Sequence, residues 1–172
     1  LTEDDVTIKV TGLLNFAPVI QGQVDATAAT DTGLYVGKLK GLGDVNVINV
    51  ADSLNIPSDM FVVTEAYYAA NKPLLKRFLA AYRDSAAWMI AEPAAAAKIA
   101  IARTIDGRNE AVNLEIIKIR NISAQSDTTR AKGLGHFDID LLQKGAETFK
   151  GLGLIKADLD MSAVIKTDLI PE

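Results

Sequence analysis

The stretch Gly22-Gln-Val-Asp-Ala-Thr-Ala-Ala-Thr-Asp31 constrains the fold more than any other. A helix-like segment, Asn15 to Gln21, runs into Gly22, a residue suited to the left-handed position just past a helix. Val24 to Ala29 then reads as a buried apolar strand. Thr30-Asp31-Thr32-Gly33 closes it with a polar lip. In α/β proteins, ligand sites gather at the carboxyl ends of such strands.

The flanking segments repeat this alternation. Val6 to Val10 places Val, Ile and Val alternately with Thr and Lys, a period-two strand pattern. Asn15 suits a helix N-cap, with Pro18 in the first turn, where a missing N–H costs nothing. Asp31 and Thr32 can cap a short helix over 33–39. Val45 to Val50 predicts a third strand. Ser53-Leu54-Asn55-Ile56-Pro57-Ser58-Asp59 is a polar connection, and Met60 to Thr64 predicts a fourth, buried strand.

Beyond Glu65 the pattern changes to helix. Pro73 is expected to open a long helix to about Ala91, with Leu75, Phe78, Leu79, Tyr82, Ala86, Met89 and Ile90 on one face. Glu92-Pro93 ends it and starts another over 94–103. Further helices are expected over 109–123 and from Asp138 or Asp140 to Gly151.

Bulk properties exclude several classes. A net charge of -4 across 172 residues gives no basic surface for a phosphate backbone, so no nucleic-acid partner is expected. No apolar run approaches the roughly 20 residues that span a bilayer. Without cysteine, neither disulfides nor thiolate metal sites can form. His136 alone leaves a transition metal only carboxylates, so neither a metal site nor a cofactor is expected. Gly-x-Ser-x-Gly, a P-loop and His-Glu-x-x-His do not occur, so no catalytic residue is assigned. The opening Leu1-Thr2-Glu3-Asp4-Asp5 carries no initiator Met, basic region or apolar leader, which predicts an incomplete chain entered partway along.

Several segments, in order, carry a family resemblance. Asn15 to Ala26 resembles the second-lobe segment of NMT1/THI5-like substrate-binding proteins of ABC importers. Ile56 to Thr64 resembles the strand returning to the first lobe. Asn71 to Leu79 is similar to the proline-started helix, and Ala91 to Ala96 to the next helix start, with Glu92 where Asn is commoner. Gly151 to Lys156 matches the end of the last long helix. The resemblance implies an α/β fold of the type II periplasmic-binding-protein kind, present as the second lobe plus the returning helical part of the first. Residues 1–56 would hold most of the second α/β lobe. Residues 57–172 would hold the crossover strand and the helical carboxy-terminal part.

On that reading the protein is a periplasmic or extracytoplasmic solute receptor, with the signal peptide outside this chain. It binds a small polar molecule in an interlobe cleft and delivers it to an ABC permease. A thiamine-pyrimidine-like ligand is the first expectation, and a sulfonate or nitrate the second. The expected ligand residues are Asn15, Phe16, Thr30, Asp31, Thr32, Ser58 and Asp59. Phe16 offers a ring, Thr30 and Thr32 offer hydroxyls, and Asp31 accepts from N–H groups while repelling a bare anion. Capping alone also accounts for Asn15 and Asp31, and core packing for Phe16. The exposed face of such a chain is expected to meet a missing amino-terminal lobe or a second copy. The alternatives are a THI5-like pyrimidine-synthesis enzyme and the effector domain of a transcriptional regulator.

Overall fold

A computed structural model describes residues 2–12, 16–57, 59–105 and 109–170. Its helices run in the order α1 (Ala17–Ile20), α2 (Asp31–Leu39), α3 (Glu65–Ala91), α4 (Pro93–Arg103), α5 (Glu110–Ser123), α6 (Asp127–Lys132), α7 (Ile139–Gly151) and α8 (Met161–Val164). Short 3₁₀ turns occupy Glu3–Asp5 and Val50–Asp52.

The expected α/β architecture is overturned. Among the described residues there is no strand, so the two-lobed periplasmic-binding fold is not what this structure forms. The segments expected as strands carry no ladder. Ile8, Val10, Ile48 and Val62 stand 74%, 93%, 94% and 86% exposed. The physical reason is that strand pairing is not a local property. Apolar strand residues create a face that needs a paired neighbour, and among the described residues no strand lies beside these segments. The end of the third expected strand instead tightens into the turn at Val50–Asp52.

Helix ends follow local chemistry more closely. Gly22 is left-handed, with φ at 65°, as expected past a helix end. Thr30, Thr64, Asn109 and Asp138 each accept a hydrogen bond from a backbone N–H three residues on, at 3.1, 3.2, 2.8 and 2.9 Å. Helix α3 starts eight residues before Pro73, at Glu65. It bends at Asn71 (φ -128°, ψ 20°), two residues before that proline, whose ring excludes a regular preceding turn. The Asn71 side-chain amide donates to Tyr67 O at 3.0 Å and keeps that carbonyl paired through the bend. Helix α6 had no expectation behind it. Its signal is a capping box in which Ser126 and Thr129 exchange side-chain-to-backbone bonds at 3.2 and 2.8 Å.

Helix α5 is the hub, packing on α4 most extensively and also on α2 and α3. Small residues make that approach close, since Ala96 and Ala97 of α4 are buried. At the α3–α4 corner, Met89 O would ordinarily be bonded by the N–H four residues on, which is Pro93 and has none. Asn121 of α5, 8% exposed, supplies the missing donor through Nδ2 at 3.1 Å. A second cluster surrounds α7. Leu142, Gly145 and Ala146 form one buried face, and a Cβ on Gly145 would meet the Ile56 methyls at 3.2 Å. The glycine is therefore the notch that receives Ile56.

The carboxy-terminal segment is pinned back to α3. The Tyr68 hydroxyl donates to Asp168 Oδ1 at 2.6 Å, and Lys72 Nζ donates to Asp168 Oδ2 at 3.0 Å. Lys72 also lies 4.5 Å from the Tyr68 ring centroid. The Tyr68 hydroxyl, and then Lys72, hold the Asp168 carboxyl below its ordinary range. The Tyr68 side chain, and then Asp168, push Lys72 above its own. A depressed carboxyl contributes above its unfolded value, about 3.9, and is lost as pH falls through the folded one. A raised ammonium contributes below its unfolded value, about 10.4, and is lost as pH rises through the folded one. The pin is therefore expected to hold between about pH 4 and pH 10. Tyr68→Phe should return the Asp168 midpoint toward the ordinary carboxylate value in a carbon-detected NMR titration. An unchanged midpoint would show that the hydroxyl is not its main cause.

Candidate ligand-binding site

The polar lip identified in the sequence forms the N-terminus of α2. Thr30 is its N-cap, with extended backbone (φ -85°, ψ 161°), and its hydroxyl accepts from Gly33 N at 3.1 Å. Asp31 Oδ1 accepts from Thr32 N at 2.7 Å, and the Thr30 and Thr32 hydroxyls stand 3.2 Å apart. A carboxylate in the first turn of a helix is favoured by the positive end of the dipole.

What completes this cluster comes from far along the chain. Ser123, the last residue of α5, donates its hydroxyl to Asp31 Oδ2 at 2.5 Å. The same hydroxyl lies 3.0 Å from Ile119 O. One turn back on α5, Arg120 forms a 3.7 Å ion pair with Asp59, which is 83% exposed. Thus α5 gathers two groups of expected residues onto its carboxy-terminal end. Asp31, between Thr30 and Thr32, meets Ser123, and Asp59 meets Arg120.

The remaining expected residues are placed differently. Phe16 is half-buried against α2, with its ring atoms 3.0 and 3.1 Å from where a Cβ on Gly37 would stand. It joins the start of α1 to α2 and does not offer an open face there. Asn15 and Ser58 lie outside the described residues. Sequence reasoning missed Arg120 and Ser123. Their only local signal is a basic residue and a small polar one in a helix's last turn, which capping preferences already explain.

An open groove of about 570 Å³ lies along the same helix, between α3, α4 and α5. Trp88, Met89, Ile99 and Ile117 give it apolar walls, with Asp84 and Ser85 among the lining residues. From α5 the groove takes Ile117, whereas Ser123, which meets Asp31, lies six residues further along the same helix and on a different face. Among the described residues, no group of three or more His, Asp or Glu could hold a metal ion. No helix among them is long and apolar enough to cross a membrane.

These groups can accept from ligand N–H, exchange hydrogen bonds with ligand hydroxyls, and cover an apolar ring. The chain is 25% identical over 174 residues to riboflavin-binding protein RibY of Chloroflexus aurantiacus, a match covering 99% of this chain and 49% of the relative. The chain thus spans about half the length of the curated relative it matches. No solved structure matches it. The NMT1/THI5-like family matches residues 1–96, more than half of the 172, and the chain belongs to that family.

Proposed function

We propose that this chain is the ligand-holding part of an extracytoplasmic solute receptor that carries a small heteroaromatic molecule to an ABC permease. The observation that carries the reading is the family match over residues 1–96, together with a relative whose name is that of a binding protein. That matched segment contains Thr30, Asp31, Thr32 and Asp59. The favoured ligand is planar, uncharged and rich in N–H and hydroxyl groups, of the thiamine-pyrimidine or flavin type. On this reading Asp31 accepts its N–H groups, the threonine and serine hydroxyls meet its polar edge, and the Trp88 groove offers an apolar surface for a ring. Sulfonate and nitrate are disfavoured by the Asp31 carboxylate.

The test is a thermal-shift and fluorescence titration against riboflavin, a hydroxymethylpyrimidine, taurine and nitrate. A ligand that binds the folded state raises the unfolding midpoint by mass action. Riboflavin or the pyrimidine is expected to do so. Asp31→Ala should then weaken binding by roughly tenfold or more, because hydrogen bonds to a charged acceptor contribute about 1.5 to 3 kcal/mol. A shift with none of the four compounds overturns the ligand class. Unchanged affinity in Asp31→Ala removes the α2 cluster from the site.

A further inference from the structure

Helix α3 is interrupted near its start. Asn71, with φ at -128° and ψ at 20°, is not helical. Pro73 has no N–H to offer the Ala69 carbonyl four residues back, so the backbone ladder is also broken there. The turns ahead of the break, Glu65 to Ala70, fall short of the roughly 12 to 15 residues below which an isolated helix is marginal in water. Contacts from outside the helix have to hold them.

Those contacts come from residues 165–169, which meet α3 at Glu65, Tyr68 and Lys72, three and four residues apart. Lys166 Nζ pairs with Glu65 Oε1 at 3.1 Å and lies 5.6 Å from the Tyr68 ring centroid. Asp168 takes the Tyr68 hydroxyl on one oxygen and Lys72 on the other. A single carboxylate thus joins the turn before the break to the first residue after Asn71. Leu169, next to it, is buried and fixes the end of the segment.

We propose that residues 165–169 are a strap that locks the first turns of α3, and that these turns open as a unit when the strap lets go, while the helix beyond Pro73 stays folded. Both ends of the unit remain anchored during opening. Upstream, Phe61 stands edge-on to Phe78 at 5.1 Å and to Tyr82 at 4.8 Å, and both rings lie beyond the break. Downstream, α3 is tied to α5 where Asn121 bonds Met89 O. Opening therefore releases a short tethered loop and not a chain end. The lock is weak, because Lys72 and Asp168 are both about half exposed, where water and salt compete with an ion pair. Marginal turns under a weak lock open before the packed remainder of the helix. Salt is therefore expected to act on these turns and spare the rest. The proposal does not depend on the ligand reading.

Amide hydrogen exchange of the chain, followed residue by residue by NMR, tests it. Asp168→Ala should speed exchange at Tyr68, Ala69 and Ala70 by at least about tenfold and leave residues 79–90 unchanged. Raising sodium chloride from about 0.05 M to about 1 M should speed the same three amides in the unaltered chain and add little in Asp168→Ala. Lys72→Gln keeps most of the stem and loses the charge, so it should speed them by a smaller factor without threatening the fold. Equal acceleration along the whole of α3 would make the helix one cooperative unit and overturn the proposal. Unchanged exchange at Tyr68 to Ala70 in both variants would overturn it too, and so would exchange that salt does not alter in the unaltered chain.

Discussion

Asn121→Asp is expected to destabilise the chain by about 3 kcal/mol at neutral pH, and to recover most of that loss in acid. The side chain at this position is 8% exposed and donates to the carbonyl that Pro93 leaves unpaired. A carboxylate there removes the donor, faces a carbonyl oxygen with negative charge, and is itself poorly solvated. Each effect favours the neutral acid, so the introduced carboxyl titrates above its unfolded value, about 3.9. The sign follows directly. The folded state binds the proton more tightly than the unfolded state, so stability falls as pH rises above about 4. Below that value the protonated group donates O–H to Met89 O, in place of the lost amide. Asn121→Leu has no such recovery, and it leaves the carbonyl unpaired at every pH. Urea denaturation of both variants at pH 3.5 and pH 7.5 separates the two behaviours. Parallel losses at both pH values would show that Asn121 serves the α3–α4 corner by shape alone.

Leu142→Ala is expected to cost about 2 to 4 kcal/mol. Leu142 is 4% exposed and lies one turn from the Gly145 notch that receives Ile56. Truncation removes its buried methyl groups and opens a void beside a contact made across about half the chain. The cost should stay below the upper end of such substitutions, because few residues are buried around it and the site can partly collapse. The denaturant midpoint should fall with little change in slope. A loss under about 1 kcal/mol would mean that the α7 cluster is not part of the cooperative core.

The helical half of this chain was legible because its signals are short-range. Asn109, Asp138, Gly22 and Glu92-Pro93 mark helix ends through bonds that reach no further than four residues. Pro73 was read as a start when it is an interior residue just past a bend, because the turn before it is held by the Asn71 side chain. The four extended segments show the opposite case. The alternation at Val6–Val10 and the apolar run at Met60–Thr64 are real, yet Ile8 and Val62 stand in solvent, since neither pattern supplies what covers it. The candidate site divides along the same line. Thr30, Asp31 and Thr32 were visible as a cap. Ser123 stands ninety-two residues from Asp31 and reaches it only because α5 packs on α2, a fact no local pattern contains.

Trp88 is the chain's single tryptophan, and its indole lines the α3–α4–α5 groove at 43% exposure. The molecule therefore carries its own lamp at one known address. All tryptophan emission originates beside Met89, whose carbonyl Asn121 secures, and on the helix that carries the stacked Phe78 and Tyr82 rings. A blue shift reports that water has left the groove. Quenching by an absorbing ring reports that something planar has arrived.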